Sequence, residues 1–179
     1  MIRIVIGPMW SGKTFSVIRL ARRYRAIGKQ VLFIDHTSDT RYTNGIAKHL
    51  VSHDGMQEHC LFSDNLLSLL DNVEYLAADV VIIEEAQFFP DLLQFIQDQG
   101  DLGKDFIISG LVGDYQRKPI GDILKIIPFA ERVDKLDGLC KYCADGTPGC
   151  FTKRIVDNSE QVLVGGKDMY ECVCRVHYL

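Results

Sequence analysis

The sequence has no apolar run long enough to cross a bilayer. Val80–Ile83 is typical of its longest runs, and a spanning helix needs about 20 apolar residues. It has no surplus of positive charge. Lys and Arg number 20 against 24 Asp and Glu, a net charge of −4, so a general nucleic-acid-binding surface is not expected. Residues 1–20 are broken by Gly-Pro and Gly-Lys pairs where a secretory leader needs an unbroken apolar core. A soluble, cytoplasmic protein without membrane or nucleic-acid partners is the expectation. With 47% hydrophobic and 25% charged residues in 179, disordered, collagen-like and coiled-coil classes are also excluded. Length alone suggests one domain with a small appendage.

Residues 1–138 alternate strand-like and helix-like segments. Arg3–Ile6, Val31–Ile34, Val80–Ile83 and Phe106–Ile108 are short apolar runs of the kind buried on both faces of a parallel sheet. Thr14–Ile27 places Val17, Ile18, Ala21, Tyr24 and Ile27 three and four residues apart, with arginines between them. This predicts an amphipathic helix stopped at Gly28. Residues 90–97 and 120–127 are also read as helical, the second closed by Pro128. Residues 36–60 are polar and weakly periodic, which predicts a long loop or flap. The fold class expected is an α/β parallel sheet of P-loop NTPase type. From Leu139 onward the composition shifts to Cys, Gly and Pro. A small second lobe is expected over 139–179, with Gln161–Val164 as its one clear strand.

Gly7-Pro8-Met9-Trp10-Ser11-Gly12-Lys13-Thr14 fits the phosphate-loop pattern G-x-x-x-x-G-K-[ST] in full. The glycines let successive backbone N–H groups turn toward phosphate oxygens. Lys13 adds charge at the β- and γ-phosphates, Thr14 offers a hydroxyl to Mg²⁺, and the following helix directs its positive end at the same point. Val80–Ile83 runs into Glu84-Glu85. Adjacent carboxylates leaving a strand point in different directions. One can serve Mg²⁺ while the other faces the phosphoryl acceptor.

Five of the six cysteines follow residue 139. Cys140-x-x-Cys143 and Cys174-x-x-His177 have the spacing of a closed, tetrahedral Cys₃His zinc site. Such a site is structural and would staple a lobe with little core of its own. Cys172 in place of Cys174, or plain buried thiols, are the alternatives. Cys60, Cys150 and Cys172 are read as packed or free thiols.

Taken in order, these motifs resemble the type II thymidine kinases, small zinc-containing deoxynucleoside kinases of animals, bacteria and large DNA viruses. The matching segments include Gly7–Thr14, Asp39-Thr-Arg-Tyr42, Glu84–Asp91, Tyr115-Gln-Arg-Lys-Pro119, Phe151-Thr-Lys-Arg154, Gly165-Gly166, Tyr170 and the four zinc ligands. The resemblance implies transfer of the γ-phosphoryl group of ATP to the 5′-hydroxyl of thymidine, and of deoxyuridine, with Glu85 as catalytic base. It implies Asp39 and Arg41 over the phosphates. It places the nucleoside against Met9, Gln87, Phe88, Leu111, Tyr115, Thr152, Tyr170 and the stretch Gln161, Val162, Leu163, Val164 and Gly165. A lasso closing over the base, a homotetramer and feedback inhibition by dTTP belong to the same implication. The resemblance makes Glu84 the partner of Mg²⁺, at a position where the family usually has Asp; Tyr115 stands where Phe is common, and Val112-Gly113-Asp114 where Asp-Gly-Thr is common. Two competing readings are a different pyrimidine specificity and a P-loop switch or ATPase with a zinc module.

Overall fold

The computed structural model describes residues 1–38, 49–51, 57–163 and 165–179, with the side chains of 49–51 and 57 left aside. Its centre is a sheet in the order β3-β4-β2-β5-β6-β1-β7. The strands are β1 (Ile2–Ile6), β2 (Val31–His36), β3 (His49–Val51), β4 (Gln57–Ser63), β5 (Val80–Ile83), β6 (Asp105–Gly110) and β7 (Arg132–Lys135). All neighbouring pairs are parallel except β3 with β4. Among the described residues no helix is long and apolar enough to cross a membrane.

The sheet is covered on both faces, and strand alternation sorts the residues between them. Val5, Phe33, Val80, Ile82 and Ile107 pack against Val17, Ile18, Leu20 and Ala21 of helix α1 (Lys13–Ala26). Ile4, Ile34, Val81, Ile83, Phe106 and Ile108 face the other way. There they meet Tyr75 of α2 (Val73–Ala77), Phe95 and Ile96 of α3 (Leu92–Gln99), and a 3₁₀ segment at Ile123–Phe129. Phe95 stands edge-on to both Tyr75 and Phe106, with centroids 6.0 and 5.6 Å apart.

Three expectations change. Within the segment read as a loop over 36–60, residues 57–60 are strand β4, and Cys60 is fully buried beside Phe33. The polar start of β4, Gln57-Glu58-His59, hid it, because it lacks the apolar run of the central strands. The helix read over 120–127 is a 3₁₀ segment with Pro128 inside it, since a missing N–H disrupts a short 3₁₀ turn less than an α-helix. The third concerns the lobe. Its strands are β8 (Gly138–Leu139) with β9 (Pro148–Gly149), and β10 (Phe151–Arg154) with β11 (Tyr170–Val173). Gln161–Leu163 is irregular. Its backbone is held instead by Arg154, whose guanidinium donates to the carbonyls of Glu160 and Gln161 at 2.5 and 3.3 Å. After β11 comes the short helix α4 (Arg175–Tyr178).

β7 is a charged edge strand, and Asp134 ties it to its neighbour. Its carboxylate accepts from Arg3 at 2.6 Å and Arg132 at 2.8 Å. Partial burial pushes the Asp134 carboxyl upward, but the two arginines outweigh this and hold it below the usual range. A depressed carboxyl stabilises the fold above its unfolded value and loses that effect as pH falls through the folded one. Asp134→Asn should therefore cost about 1 kcal/mol or less at pH 7. Denaturant titrations of both proteins should converge as pH drops below about 4.

Candidate active site

The phosphate loop leaves β1 at its carboxyl end and runs into α1. Gly12 adopts φ 78°, ψ 25°, a left-handed conformation that residues with a Cβ resist. A Cβ at Gly7 would lie 2.5 Å from the Leu136 carbonyl oxygen and from Ser11 Oγ, so the loop closes only with glycine there. Ser11 Oγ donates to the Pro8 carbonyl at 2.9 Å. The Lys13 ammonium donates to the carbonyls of Gly7 and Pro8 at 3.2 and 2.9 Å, lying across its own loop. Trp10 has φ 66°, and its ring lies outside the loop, 5.6 Å from the Lys167 ammonium.

Glu84 extends the β2–β5 ladder by one bond, its N–H donating to Ile34 O at 2.8 Å. It is 2% exposed. Its Oε2 lies 3.4 Å from Thr14 Oγ1 and 3.2 Å from Ser109 Oγ. A buried carboxylate between two hydroxyls is a hard-oxygen donor set that fits a divalent cation such as Mg²⁺. Asp35 was passed over in the sequence. It is 1% exposed, ends β2 one register step beyond Ile34–Ile83, and shares the α1 face with Glu84 by alternation. The signal was present, since Val-Leu-Phe-Ile-Asp repeats the pattern of Val-Val-Ile-Ile-Glu.

Glu85 has φ 46° and ψ 38°, a left-handed backbone that costs a residue with a Cβ roughly 1–2 kcal/mol. It starts the 3₁₀ turn Ala86–Phe88. The turn splits two neighbouring aromatics: Phe89 enters the core, while Phe88 stays half-buried, its centroid 5.7 Å from that of His36. Burial pushes the His36 imidazole below its usual value, against the raising effect of Asp64 and Asp91.

The residues expected around a nucleoside fall into linked groups. The Met9 N–H donates to Thr152 Oγ1 at 3.0 Å, joining the phosphate loop to β10. The Leu111 N–H donates to Gln87 Oε1 at 2.9 Å. Gln161 Nε2 donates to Asp114 Oδ2 at 3.0 Å. Tyr170 O–H donates to the Leu163 carbonyl at 2.7 Å. Val162 is exposed, and Gly165 is half-buried. Asp39, Arg41 and Val164 lie outside the described residues.

Arg154 is the organiser that sequence reasoning missed. Its guanidinium lies 3.8 Å from the Tyr115 centroid and 5.2 Å from that of Tyr170. It donates to the Tyr170 hydroxyl at 2.7 Å and to the Asn158 carbonyl at 2.9 Å, besides Glu160 and Gln161. Five N–H donors in a rigid fork can hold several carbonyls of a loop that has no ladder of its own. No spacing rule points to such a residue, because its partners are backbone atoms.

The ligand atoms of Cys140, Cys143, Cys174 and His177 lie within 4.8 Å of one another. Cys143 and Cys174 sulfurs are 3.8 Å apart, and His177 Nδ1 is 3.5, 3.4 and 3.3 Å from the three sulfurs in chain order. A tetrahedral zinc with ordinary Zn–S and Zn–N bonds sets these edges at about 3.8 and 3.6 Å. The cluster therefore fits structural zinc. The His177 backbone N–H lowers the Cys174 thiol, and hydrogen bonds to Cys174 and Cys140 raise the His177 imidazole. Cys172 is not in the cluster. Its sulfur donates to the Gly149 carbonyl at 3.2 Å, and burial pushes the thiol up to about 11.

A phosphate loop after the central β1 strand, a buried carboxylate after β5 and a Cys₃His lobe define a P-loop nucleotide-binding protein with a zinc-type appendage. A family model described as thymidine kinase matches residues 1–178. The thymidine kinase of rabbit fibroma virus (strain Kasza) is 38% identical over 179 residues, covering 99% of this chain and 95% of its own. Thymidine kinase 1 of Dictyostelium discoideum is 40% identical over 180 residues, covering 99% and 77%. The thymidine kinase of Yaba monkey tumor virus (strain VR587) is 40% identical over 177 residues, covering 99% and 93%. Among solved structures, the flagellar accessory protein FlaH of Methanocaldococcus jannaschii aligns with 89% of this chain and 74% of its own, at TM-score 0.49 and 13% identity. The chain belongs to the thymidine kinase family, and it is a phosphotransferase.

Metal analysis of protein purified without chelator should give about one zinc per chain. Cys174→Ser should lose the metal and lower the unfolding temperature, whereas Cys172→Ser should keep it. Equal zinc in both variants would refute the ligand set.

Proposed function

We propose that this kinase transfers the γ-phosphoryl group of ATP to the 5′-hydroxyl of thymidine, and of deoxyuridine, giving the nucleoside monophosphate for DNA synthesis by salvage. The observation that carries the proposal is the 3.4 Å approach of Thr14 Oγ1 to Glu84 Oε2, with Glu85 next in the chain. It sets the phosphate end of a donor beside a carboxylate pair.

The loop amides from Met9 to Thr14 and the amino end of α1 hold the phosphates. A phosphate oxygen is a stronger acceptor than a carbonyl, so an arriving polyphosphate draws Lys13 from Gly7 and Pro8 to itself. Thr14 and Glu84 would hold Mg²⁺, whose charge would offset that of the phosphates. Glu85 accepts the proton of the 5′-hydroxyl as its oxygen bonds to the γ-phosphorus. The bond from that phosphorus to the β,γ-bridging oxygen breaks, and ADP leaves with the electron pair. The family pattern adds Asp39 and Arg41 over the phosphates.

The acceptor lies against Met9, Phe88, Leu111, Tyr115, Thr152 and Tyr170, with the main chain of Gln161–Gly165 reading the base edge. Supporting this, Arg154 and Tyr170 fix the carbonyls of Gln161 and Leu163 before any ligand arrives, which saves ordering cost on binding. We assign residues 1–138 to nucleotide binding and 139–179 to a zinc-stapled lasso. The separate small cluster of Cys140, Val173 and Cys174 supports that division. A homotetramer, dTTP as feedback inhibitor and a cytoplasmic location complete the reading on the strength of the family.

The test is phosphate transfer from Mg-ATP to thymidine, with deoxyuridine, deoxycytidine and no nucleoside run in parallel. Thymidine-dependent ADP is expected; nucleoside-independent hydrolysis would make the protein an ATPase. Glu85→Gln should lower turnover by about 10²-fold or more with nucleotide binding retained. Lys13→Ala should abolish transfer while leaving the fold intact, as read by circular dichroism.

A further inference from the structure

We infer that Gln87 is a positioning residue for the catalytic carboxylate, locking Glu85 to the end of β6 through a doubly anchored amide. The inference rests on the reading of Glu85 as the base.

Gln87 is buried in the 3₁₀ turn, two residues after Glu85. Its Oε1 accepts the Leu111 N–H at 2.9 Å. A backbone N–H can only donate, so the oxygen must face Leu111 and the nitrogen must face the other way. There Nε2 donates to Glu85 Oε2 at 2.5 Å. A flipped amide would set donor against donor at Leu111 and acceptor against acceptor at Glu85. Both contacts therefore choose the same orientation.

The surroundings are built around this residue. A Cβ on Gly110 would lie 2.2 Å from Gln87 Oε1, and one on Gly121 would lie 2.1 Å from the Gln87 carbonyl oxygen. Two glycines, one ending β6 and one in the following segment, thus leave room for Gln87 and nothing larger beside it.

The amide does two things for the reaction. It fixes the rotation of the Glu85 carboxylate, whose backbone sits in a left-handed conformation, and proton transfer depends on that angle. It also donates to the ionised form and so favours it over the neutral acid. Because the other end of the amide is held by β6, the base is referenced to the sheet and not only to its own turn. In this arrangement Gln87 acts on the nucleoside through Glu85 and does not touch it.

The test is Gln87→Glu in the full-length, zinc-loaded enzyme. The substitution keeps an acceptor for Leu111 but sets a second carboxyl against Glu85. Two facing carboxyls cannot both ionise readily. The acid limb of the kcat–pH profile should move up by about one unit or more, with kcat on that limb down about tenfold or more and recovering as pH rises. KM for thymidine and for ATP should stay within about threefold. Gln87→Met, which lacks both amide functions at similar size, should lower kcat with little change in either KM. It also serves if Gln87→Glu does not fold. An unshifted acid limb in Gln87→Glu, or a loss confined to the KM for thymidine, would overturn the inference and make Gln87 a nucleoside contact. Glu85→Gln is run alongside. If that variant retains turnover, the reading of Glu85 is at fault; if it is inactive while Gln87→Glu is unshifted, only the role of Gln87 fails.

Discussion

A parallel sheet buried on both faces leaves its chemistry one outlet, the carboxyl edge. Each central strand here is apolar along its length because α1 covers one side and α2, α3 and the 3₁₀ segment cover the other. Polar residues therefore appear where the strands stop. Gly7 follows β1, Asp35 and His36 finish β2, Glu84 follows β5, and Ser109 and Gly110 finish β6. The strands are neighbours in the sheet, so these residues become neighbours too. The contacts among Thr14, Glu84 and Ser109 follow from strand order before any detail of side-chain packing is considered.

The same constraint explains what could be read from sequence. β1, β2, β5 and β6 were visible as unbroken apolar runs, and α1 as a period of three and four. The phosphate loop, the strand-end carboxylates and the zinc ligands are spaced by local geometry, so their numbering alone exposed them. β4 was not visible because it opens on Gln57-Glu58-His59, and β7 because this edge strand, Arg-Val-Asp-Lys, is mostly charged and resembles a loop. The lobe was misread at Gln161–Leu163 because the chain there is held by a side chain. Its order comes from Arg154, stacked on Tyr115, and no local pattern in 161–163 records that. Gln87 was placed beside the nucleoside by resemblance. Only coordinates reveal that its amide spans Glu85 and Leu111.

The lobe illustrates how a segment with little core becomes ordered. Its own apolar cluster is Cys140, Val173 and Cys174, with Cys143, Phe151 and Tyr178 packed against them. Zinc held by the Cys₃His cluster would replace the apolar area that a larger domain buries. Cations over aromatic rings add to this. Arg117 lies 4.4 Å from the Tyr178 centroid and Arg175 lies 4.9 Å from that of Phe151. Hydrogen bonds then fasten the lobe to the sheet, among them Met9 N–H to Thr152, Gln161 Nε2 to Asp114 and the Tyr178 hydroxyl to the Tyr115 carbonyl. One of these joins sits on the phosphate loop itself, so the loop and the lobe share a mechanical connection.

The edge formed by β7 bears on how copies of the chain can meet. An uncovered strand invites another strand to pair with it, and proteins resist this with charge at the rim. Arg132, Asp134 and Lys135 supply that charge, and Asp134 is already engaged by two guanidinium groups. Extending the sheet across this rim would mean desolvating those ions against an incoming backbone. A continuous intermolecular sheet through β7 is therefore disfavoured. The rim that closes the nucleotide-binding fold thus also guards it against fibrous stacking.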